Sequence, residues 1–258
     1  TDLVEPVSLD ESYLDVTENK VGSRSATSIA RQVKARIRKE LGLTASAGVG
    51  PNKFIAKVAS GLKKPDGLVV VRPGEMEQFL KDLPVGVVWG IGRVTESRLK
   101  AMGVRTVGEL AALPVEVMER EFGKGGIRLW ELAHGRDDSP VNPIRERKSI
   151  SQEHTFDTDV ASAELVRRVV RGQAEKVAER ARRSGLQGRT VILKLRYADF
   201  RLITRSKTLA HPVDDATELY SEVLSLFDKA EIGRRPVRLV GVGLANLVGE
   251  ESRQLSLF

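Results

Sequence analysis

The sequence contains no cysteine among its 258 residues, and this absence excludes disulfide bonds and metal sites built on thiolates. It has no apolar run near the roughly 20 residues that a membrane-spanning helix needs. No basic segment followed by an apolar stretch opens the chain, so the residues given predict no signal peptide. These absences fit a reducing cytoplasm, and we expect a protein without membrane partners.

Positive charge, in contrast, is in excess. Lys and Arg number 42 against 35 Asp and Glu, which gives a net charge of +7 and a pI near 9.7. This balance suits a polyanionic partner such as nucleic acid, although many basic proteins have none. The hydrophobic share of 41% supports buried cores, and the length allows two or three domains.

Hydrophobic periodicity divides the chain into segments of different character. Residues 1–72 alternate between strand-like and helical patterns, which predicts an α/β unit. Residues 73–135 consist of short helical patterns and predict a small all-α domain. Residues 136–147 are rich in turn-forming and charged residues, which is typical of a linker.

The C-terminal part of the chain has a different order of elements. Residues 148–248 follow the pattern β-α-β-β-α-β, which predicts an α+β split βαβ fold. Residues 249–258 lack a periodic core pattern, and we interpret them as a disordered tail.

The segment SLDESYLDV places Asp10 and Glu11 side by side in a strand-like run. Neighbours on a strand face opposite sides, so one carboxylate must face inward unless a cation meets it. Paired carboxylates at a strand end can hold Mg²⁺, which prefers hard oxygen ligands and clamps phosphates during their transfer. The simpler alternative is that Asp10 faces water and Glu11 forms an ion pair.

Two stretches, SLDESYLDVT and LTASAGVGPNKFIAKVASGLKKPDG, resemble the Y-family DNA polymerases, most closely their bacterial DinB class (the DNA polymerase IV enzymes). The resemblance continues through all three units. It implies that residues 1–72 are the remainder of a palm domain in which Asp10 and Glu11 are catalytic ligands of two Mg²⁺ ions. It also implies that Lys64 binds the triphosphate of the incoming deoxynucleotide, the alternative being a solvated loop lysine.

The sequence departs from the family at its start. In the family a third metal-binding carboxylate, the residue that selects against ribonucleotides and the fingers domain lie upstream of the acidic strand. Only nine residues precede Asp10 here. We therefore expect this chain to lack the N-terminal palm and the fingers, and to bind DNA without polymerising.

The segment Gly90-Ile91-Gly92 separates two helical patterns and resembles a helix-hairpin-helix within the thumb domain of the family. Glycines let backbone N–H groups at a helix start approach a phosphate, and Arg93 adds positive charge. An ordinary turn is the alternative. Trp89 stands where relatives often carry proline, and we interpret it as a packing residue.

By the same resemblance, residues 148–248 form the little finger domain, which lies across template and primer. Alternation in FRLITRSKTL predicts that Arg201, Ile203, Arg205 and Lys207 share one side of a strand. A basic row of this kind suits a DNA backbone. The predicted phosphate contacts are Lys148, Ser149, Arg201 and Arg205.

The last five residues, QLSLF, resemble the sliding-clamp-binding peptide of bacterial replication and repair proteins. Gln254 is predicted to bind at the rim of a clamp pocket, and Leu255, Leu257 and Phe258 are the predicted apolar anchors. Such tethering raises processivity through local concentration. The alternative is a tail that folds back on its own domain.

The resemblance predicts the C-terminal portion of an error-prone translesion DNA polymerase, a nucleotidyltransferase that adds deoxynucleotides to a primer 3′ end. The expected partners are primer-template DNA, deoxynucleoside triphosphate and the sliding clamp, for a monomer in the bacterial cytoplasm at the nucleoid. One alternative is a catalytically inactive scaffold subunit that binds DNA and clamp, although the presence of Asp10, Glu11 and Lys64 favours an active ancestry. A plain helix-hairpin-helix protein would not explain the acidic segment or the tail.

Overall fold

A computed structural model describes residues 1–144, 146–227 and 235–249. The chain divides into two units, Thr1–Arg145 and Glu146–Phe258. The segments predicted as palm and thumb both fall within the first unit. No helix in the described ranges is long and apolar enough to cross a membrane.

The first unit begins with the predicted alternation of strands and helices. Strands β1 and β2 form an antiparallel hairpin, and β3 and β4 pair in parallel. Polar side chains cap both helices: Ser25 accepts from the N–H of Ser28 at α1, and Asn52 accepts from that of Ile55 at α2. The bounds are β1 Val4–Pro6, β2 Ser12–Leu14, α1 Ala26–Leu41, β3 Ala47–Val49, α2 Lys53–Leu62 and β4 Leu68–Val70.

Short helices follow, and no described residue between 73 and 135 belongs to a strand. Phe54 and Ile55 of α2 lie in one apolar core with Leu99 and Met118, so these helices pack on the α/β segment. The bounds are α3 Met76–Leu80, α4 Arg93–Ala101, α5 Val107–Ala111, α6 Val115–Phe122 and α7 Lys124–Ala133.

The first part of the segment interpreted as a linker is held against the start of α2. A carboxylate oxygen of Asp137 accepts from the Phe54 N–H at 3.0 Å, and Arg128 pairs with the same carboxylate. Burial opposes ionisation of Asp137, but hydrogen bonds from Ser139 and Arg128 outweigh it and lower the pKa. The ionised Asp137 therefore stabilises the positive end of α2.

The second unit has the predicted β-α-β-β-α-β order. Its four strands are antiparallel in the spatial order β5-β8-β6-β7, so β8 separates the two strands of the first βαβ unit. The helices pack on one face of this sheet and enclose its apolar core. The bounds are β5 Ser149–Val160, α8 Ala163–Arg183, β6 Leu186–Tyr197, β7 Leu202–Val213, α9 Ala216–Phe227 and β8 Val237–Gly249.

Candidate catalytic cleft and DNA-binding surfaces

Asp10 and Glu11 lie in the turn of residues 7–11 that joins β1 to β2, which we call the acidic turn. The prediction of an acidic strand is therefore wrong in this detail. The backbone N–H groups of Val7 and Ser8 both donate to the carbonyl oxygen of Glu11, at 2.9 and 3.2 Å, and close the chain before β2 begins. Asp10 is exposed and Glu11 is half-buried.

Glu11 has a cationic partner on α2. Its Oε2 accepts from Lys57 Nζ at 2.5 Å, which is the ion pair that the simpler alternative proposed. One helical turn earlier, Lys53 Nζ lies 2.6 Å from Glu5 Oε2. The sequence interpretation missed both lysines, although their spacing of four on an amphipathic helix was a signal that they share one face.

Asp10 is held in its ionised form. The hydrogen bond from Ser8 Oγ, 2.6 Å from Oδ1, is the main cause of its lowered pKa, and the positive charges of Lys64 and Lys57 act in the same direction. An ionised carboxylate is the form that binds a divalent cation.

Lys64 lines the same cleft as the two carboxylates and Lys57, a space of about 480 Å³ that we call the acidic cleft. A lysine of α1 holds the loop that carries Lys64. Lys34 Nζ donates to the carbonyl oxygens of Asp66 and Gly67 at 2.6 and 2.9 Å. A positive charge on a fixed loop, in the same cleft as two carboxylates, suits the binding of phosphate groups.

The acidic cleft supplies two carboxylates. Within the described ranges no three His, Cys, Asp or Glu residues are grouped as a metal site. Asp10 and Glu11 offer the hard oxygen donors that Mg²⁺ prefers, so the residues present fit this ion in chemistry and would supply part of its coordination shell.

The predicted helix-hairpin-helix centres on a turn of residues 88–92, which we call the glycine turn. Gly90 has a φ of +98°, in the left-handed region that favours glycine. Ile91 is buried and its N–H donates to the Val88 carbonyl at 3.0 Å, so it anchors the turn; its predicted DNA contact stays a prediction. Gly92 precedes α4 without a capping side chain, which leaves the first-turn N–H groups open to an external acceptor.

The basic residues near the glycine turn differ in whether their side chains already have partners within the chain. Arg98 donates to the Glu121 carbonyl at 2.8 Å and lies over the Phe122 ring. Lys100 pairs with Glu96 at 2.7 Å. Arg93 is exposed and forms no ion pair with any residue in the described ranges, so its charge is available to a ligand.

Trp89 does not pack as the sequence interpretation proposed. Its side chain is 72% exposed, directly before Gly90. The interpretation failed because a large aromatic residue is usually buried, and no pattern around Trp89 indicated that its side chain faces solvent.

The basic row of β7 also needs a correction. Ile203, Arg205 and Lys207 do share one side, but Ile203 packs against the core, and Lys207 pairs with Glu222 of α9 at 2.6 Å. The row therefore lies on the helix-covered side of the sheet, with Arg205 exposed on this edge strand. Arg201 precedes the strand, and its carbonyl oxygen accepts from Tyr197 N–H.

The other side of the sheet, which we call the open face, carries small and hydroxyl-bearing residues together with charged side chains. Ser149 belongs to it, since its neighbour Ile150 enters the core, and Lys148 is exposed just before it. Glu153 pairs with Lys194 across Gly241, with 2.8 Å between Lys194 Nζ and Glu153 Oε1. Glycine is needed there because a Cβ would lie only 2.8 Å from Glu153 Cγ. A polar surface with short side chains can approach a nucleic-acid backbone closely.

Comparison with known proteins identifies the family to which the chain belongs. The family model of the impB/mucB/samB family matches residues 1–61, and the model of its C-terminal domain matches residues 147–257. A model described as the thumb domain of DNA polymerase-iota matches residues 81–137. DNA polymerase IV of Alkalilimnicola ehrlichii is 49% identical over 262 residues, which cover 100% of this chain and 73% of the relative. The chain belongs to the DNA polymerase IV family.

Other DNA polymerase IV relatives and solved structures agree. DNA polymerase IV of Listeria monocytogenes serovar 1/2a is 44% identical over 96% of this chain and 69% of its own length. A Y-family DNA polymerase chimera of Dbh and Dpo4 superposes with a TM-score of 0.85 at 26% identity, covering 95% of this chain and 71% of that chain. DinB from Sulfolobus solfataricus gives a TM-score of 0.57 at 25% identity, over 94% of this chain and 71% of its own. The chain therefore has the Y-family fold of translesion DNA-directed DNA polymerases, with a helix-hairpin-helix thumb and a little finger-like C-terminal domain.

Proposed function

We propose that this chain supplies the DNA-binding surfaces and part of the catalytic site of an error-prone translesion DNA polymerase. In this proposal residues 1–72 are a palm remainder, 73–135 the thumb and 148–248 the little finger. The observation that carries the proposal is the acidic cleft, where Asp10, Glu11 and Lys64 lie together. Residues that act on one nucleotide must share one site.

Each cleft residue has a role in this proposal. Asp10 and Glu11 would hold Mg²⁺, which when bound neutralises phosphate charge during attack by a primer 3′ oxygen. Lys64 binds the triphosphate of the incoming deoxynucleotide. Lys57 keeps the Glu11 carboxylate in place through its ion pair.

We expect the 258 residues alone to bind primer-template DNA and to leave the primer unextended, because the cleft contributes two carboxylates where the family uses three. The measurement is primer extension with Mg²⁺ and four deoxynucleotides, beside an Asp10→Ala variant and the Listeria monocytogenes DNA polymerase IV as a positive control. Extension that Asp10→Ala abolishes would show that two carboxylates suffice and would contradict the expected inactivity.

DNA is the proposed macromolecular partner. The solved structures that this chain resembles include one described as an insertion ternary complex and one as a post-insertion binary complex of Dbh DNA polymerase. In this chain the open first turn of α4, Arg93 and the exposed side chains of the second unit would bind phosphates. The proposed contacts are Gly90, Ile91, Gly92, Arg93, Lys148, Ser149, Arg201 and Arg205.

We propose in addition that residues 254–258 bind the sliding clamp; they lie outside the described residues, and the sequence QLSLF alone supports this role. Removing these five residues is expected to abolish co-elution with a purified bacterial clamp and to leave DNA affinity unchanged. Retained co-elution would place the clamp contact elsewhere in the chain.

One observation favours the alternative of an inactive scaffold subunit: Lys57 already pairs with Glu11, as in a structural ion pair. Mg²⁺-dependent binding of a deoxynucleoside triphosphate that Lys64→Ala abolishes would decide for the polymerase. In either role we propose a monomer that acts at the nucleoid in the bacterial cytoplasm.

A further inference from the structure

The glycine turn and the first turn of α4 each expose one large apolar side chain. Trp89 is 72% exposed and Val94 is 77% exposed. The second tryptophan behaves differently: Trp130 is half-buried, and its Nε1 donates to the Leu113 carbonyl at 2.9 Å. The Trp89 indole N–H has no acceptor within the described part of the chain. Exposed apolar side chains beside open hydrogen-bond donors and a cation can mark a site of interaction.

Both side chains flank the same stretch of backbone. Trp89 directly precedes Gly90, and Val94 is the second residue of α4, whose first turn lacks a capping side chain. Arg93, with its unpaired charge, lies between them in sequence. One short segment therefore combines open N–H donors, a cation and two apolar groups.

This combination matches the chemistry of a DNA strand, in which charged phosphates alternate with deoxyribose rings whose carbon atoms are apolar. We propose that Trp89 and Val94 contact the deoxyribose rings on either side of a phosphate that the first turn of α4 and Arg93 bind on duplex DNA. This inference rests on the proposed DNA-binding role of the glycine turn and adds to it an apolar contribution that reads no sequence.

An apolar contact and an ionic contact respond differently to salt. Binding that releases counterions weakens as salt rises, with a logarithmic slope set by the number of phosphates neutralised. Trp89→Ala is expected to lower affinity for a duplex primer-template about fivefold to tenfold with the slope unchanged. Arg93→Ala is expected to reduce the slope by about one.

The presence of only two tryptophans allows a direct measurement. In Trp130→Phe, the remaining emission comes from Trp89, and we expect duplex DNA to quench or shift it. In Trp89→Phe, the remaining emission comes from Trp130, and we expect no response to DNA. If Trp130→Phe does not fold, the difference between the spectra of the unmodified chain and Trp89→Phe gives the Trp89 signal.

The outcomes separate this inference from the proposed function. Normal duplex affinity of Trp89→Ala together with a silent Trp89 emission would overturn the apolar contact and leave the DNA-binding role intact. A larger loss of affinity for single-stranded than for duplex DNA would overturn it in favour of stacking on an unpaired base. Failure of the unmodified chain to bind duplex DNA would overturn the proposed function and this inference with it.

Discussion

Gly48→Ala is expected to lower the free energy of unfolding of the first unit by about 3 kcal/mol or more. Gly48 lies in β3 beneath α2, and a Cβ there would meet the Ala56 carbonyl oxygen at 2.0 Å and the Ser60 nitrogen at 2.5 Å. Both atoms are backbone, so no side-chain rotation can relieve the clash. The helix must move away from the sheet, and its core contacts move with it.

The measurement is thermal unfolding, in which the midpoint of the first unit is expected to fall by roughly 10 °C. The matched control is Gly61→Ala on α2, where a Cβ would meet nothing within 4 Å. This control is expected to be neutral or slightly stabilising, since alanine favours helix over glycine. Equal midpoints for the two variants would contradict the close approach of α2 to β3.

The same displacement should alter the acidic cleft, because α2 carries Lys57. Moving the helix would separate Lys57 from Glu11 and change the charge around Asp10, whose pKa both Lys57 and Lys64 lower. A glycine in a strand thus determines where Lys57 meets Glu11, a carboxylate that we propose to be catalytic. The packing of a helix on a sheet and the electrostatics of the cleft are linked at this one residue.

Sequence patterns predicted the features of the fold that depend on residues close together in the sequence. The order of elements in the second unit follows from periodicity, and the break between two helical patterns at Gly90 predicted a turn there, to which the structure adds the left-handed φ of +98°. The acidic turn was assigned to a strand because SLDESYLDV carries no glycine or proline to mark where the chain reverses.

Contacts between residues distant in the sequence determine the features that these patterns could not predict. Alternation placed Ile203, Arg205 and Lys207 together correctly, but it cannot say which side of a sheet helices will cover. The apolar Ile203 was the available signal, since it belongs with the core. The ion pair of Glu11 joins residues 46 positions apart, and only the folded chain brings them together.

Gly90→Ala is expected to weaken duplex DNA binding about tenfold or more, equivalent to about 1.4 kcal/mol per factor of ten. A Cβ at Gly90 would meet Leu129 Cδ2 at an ordinary 3.5 Å, so steric exclusion is not the cause. The cost comes from the φ of +98°, which L-residues adopt poorly. Relaxing that angle would turn the N–H groups of α4 away from the phosphate that we propose they bind.

Gly103→Ala is the matched control for this prediction. Gly103 has a φ of +86° with open space around it, and it follows the other end of α4. Alanine at this position would be under a similar backbone strain. The rise of α4 places it about 15 Å from the glycine turn. We expect both variants to lose similar stability in thermal unfolding, and only Gly90→Ala to lose affinity in fluorescence anisotropy titrations. Equal losses of affinity would mean that strain acts through general destabilisation, and normal affinity of Gly90→Ala would mean that the thumb binds DNA through another surface.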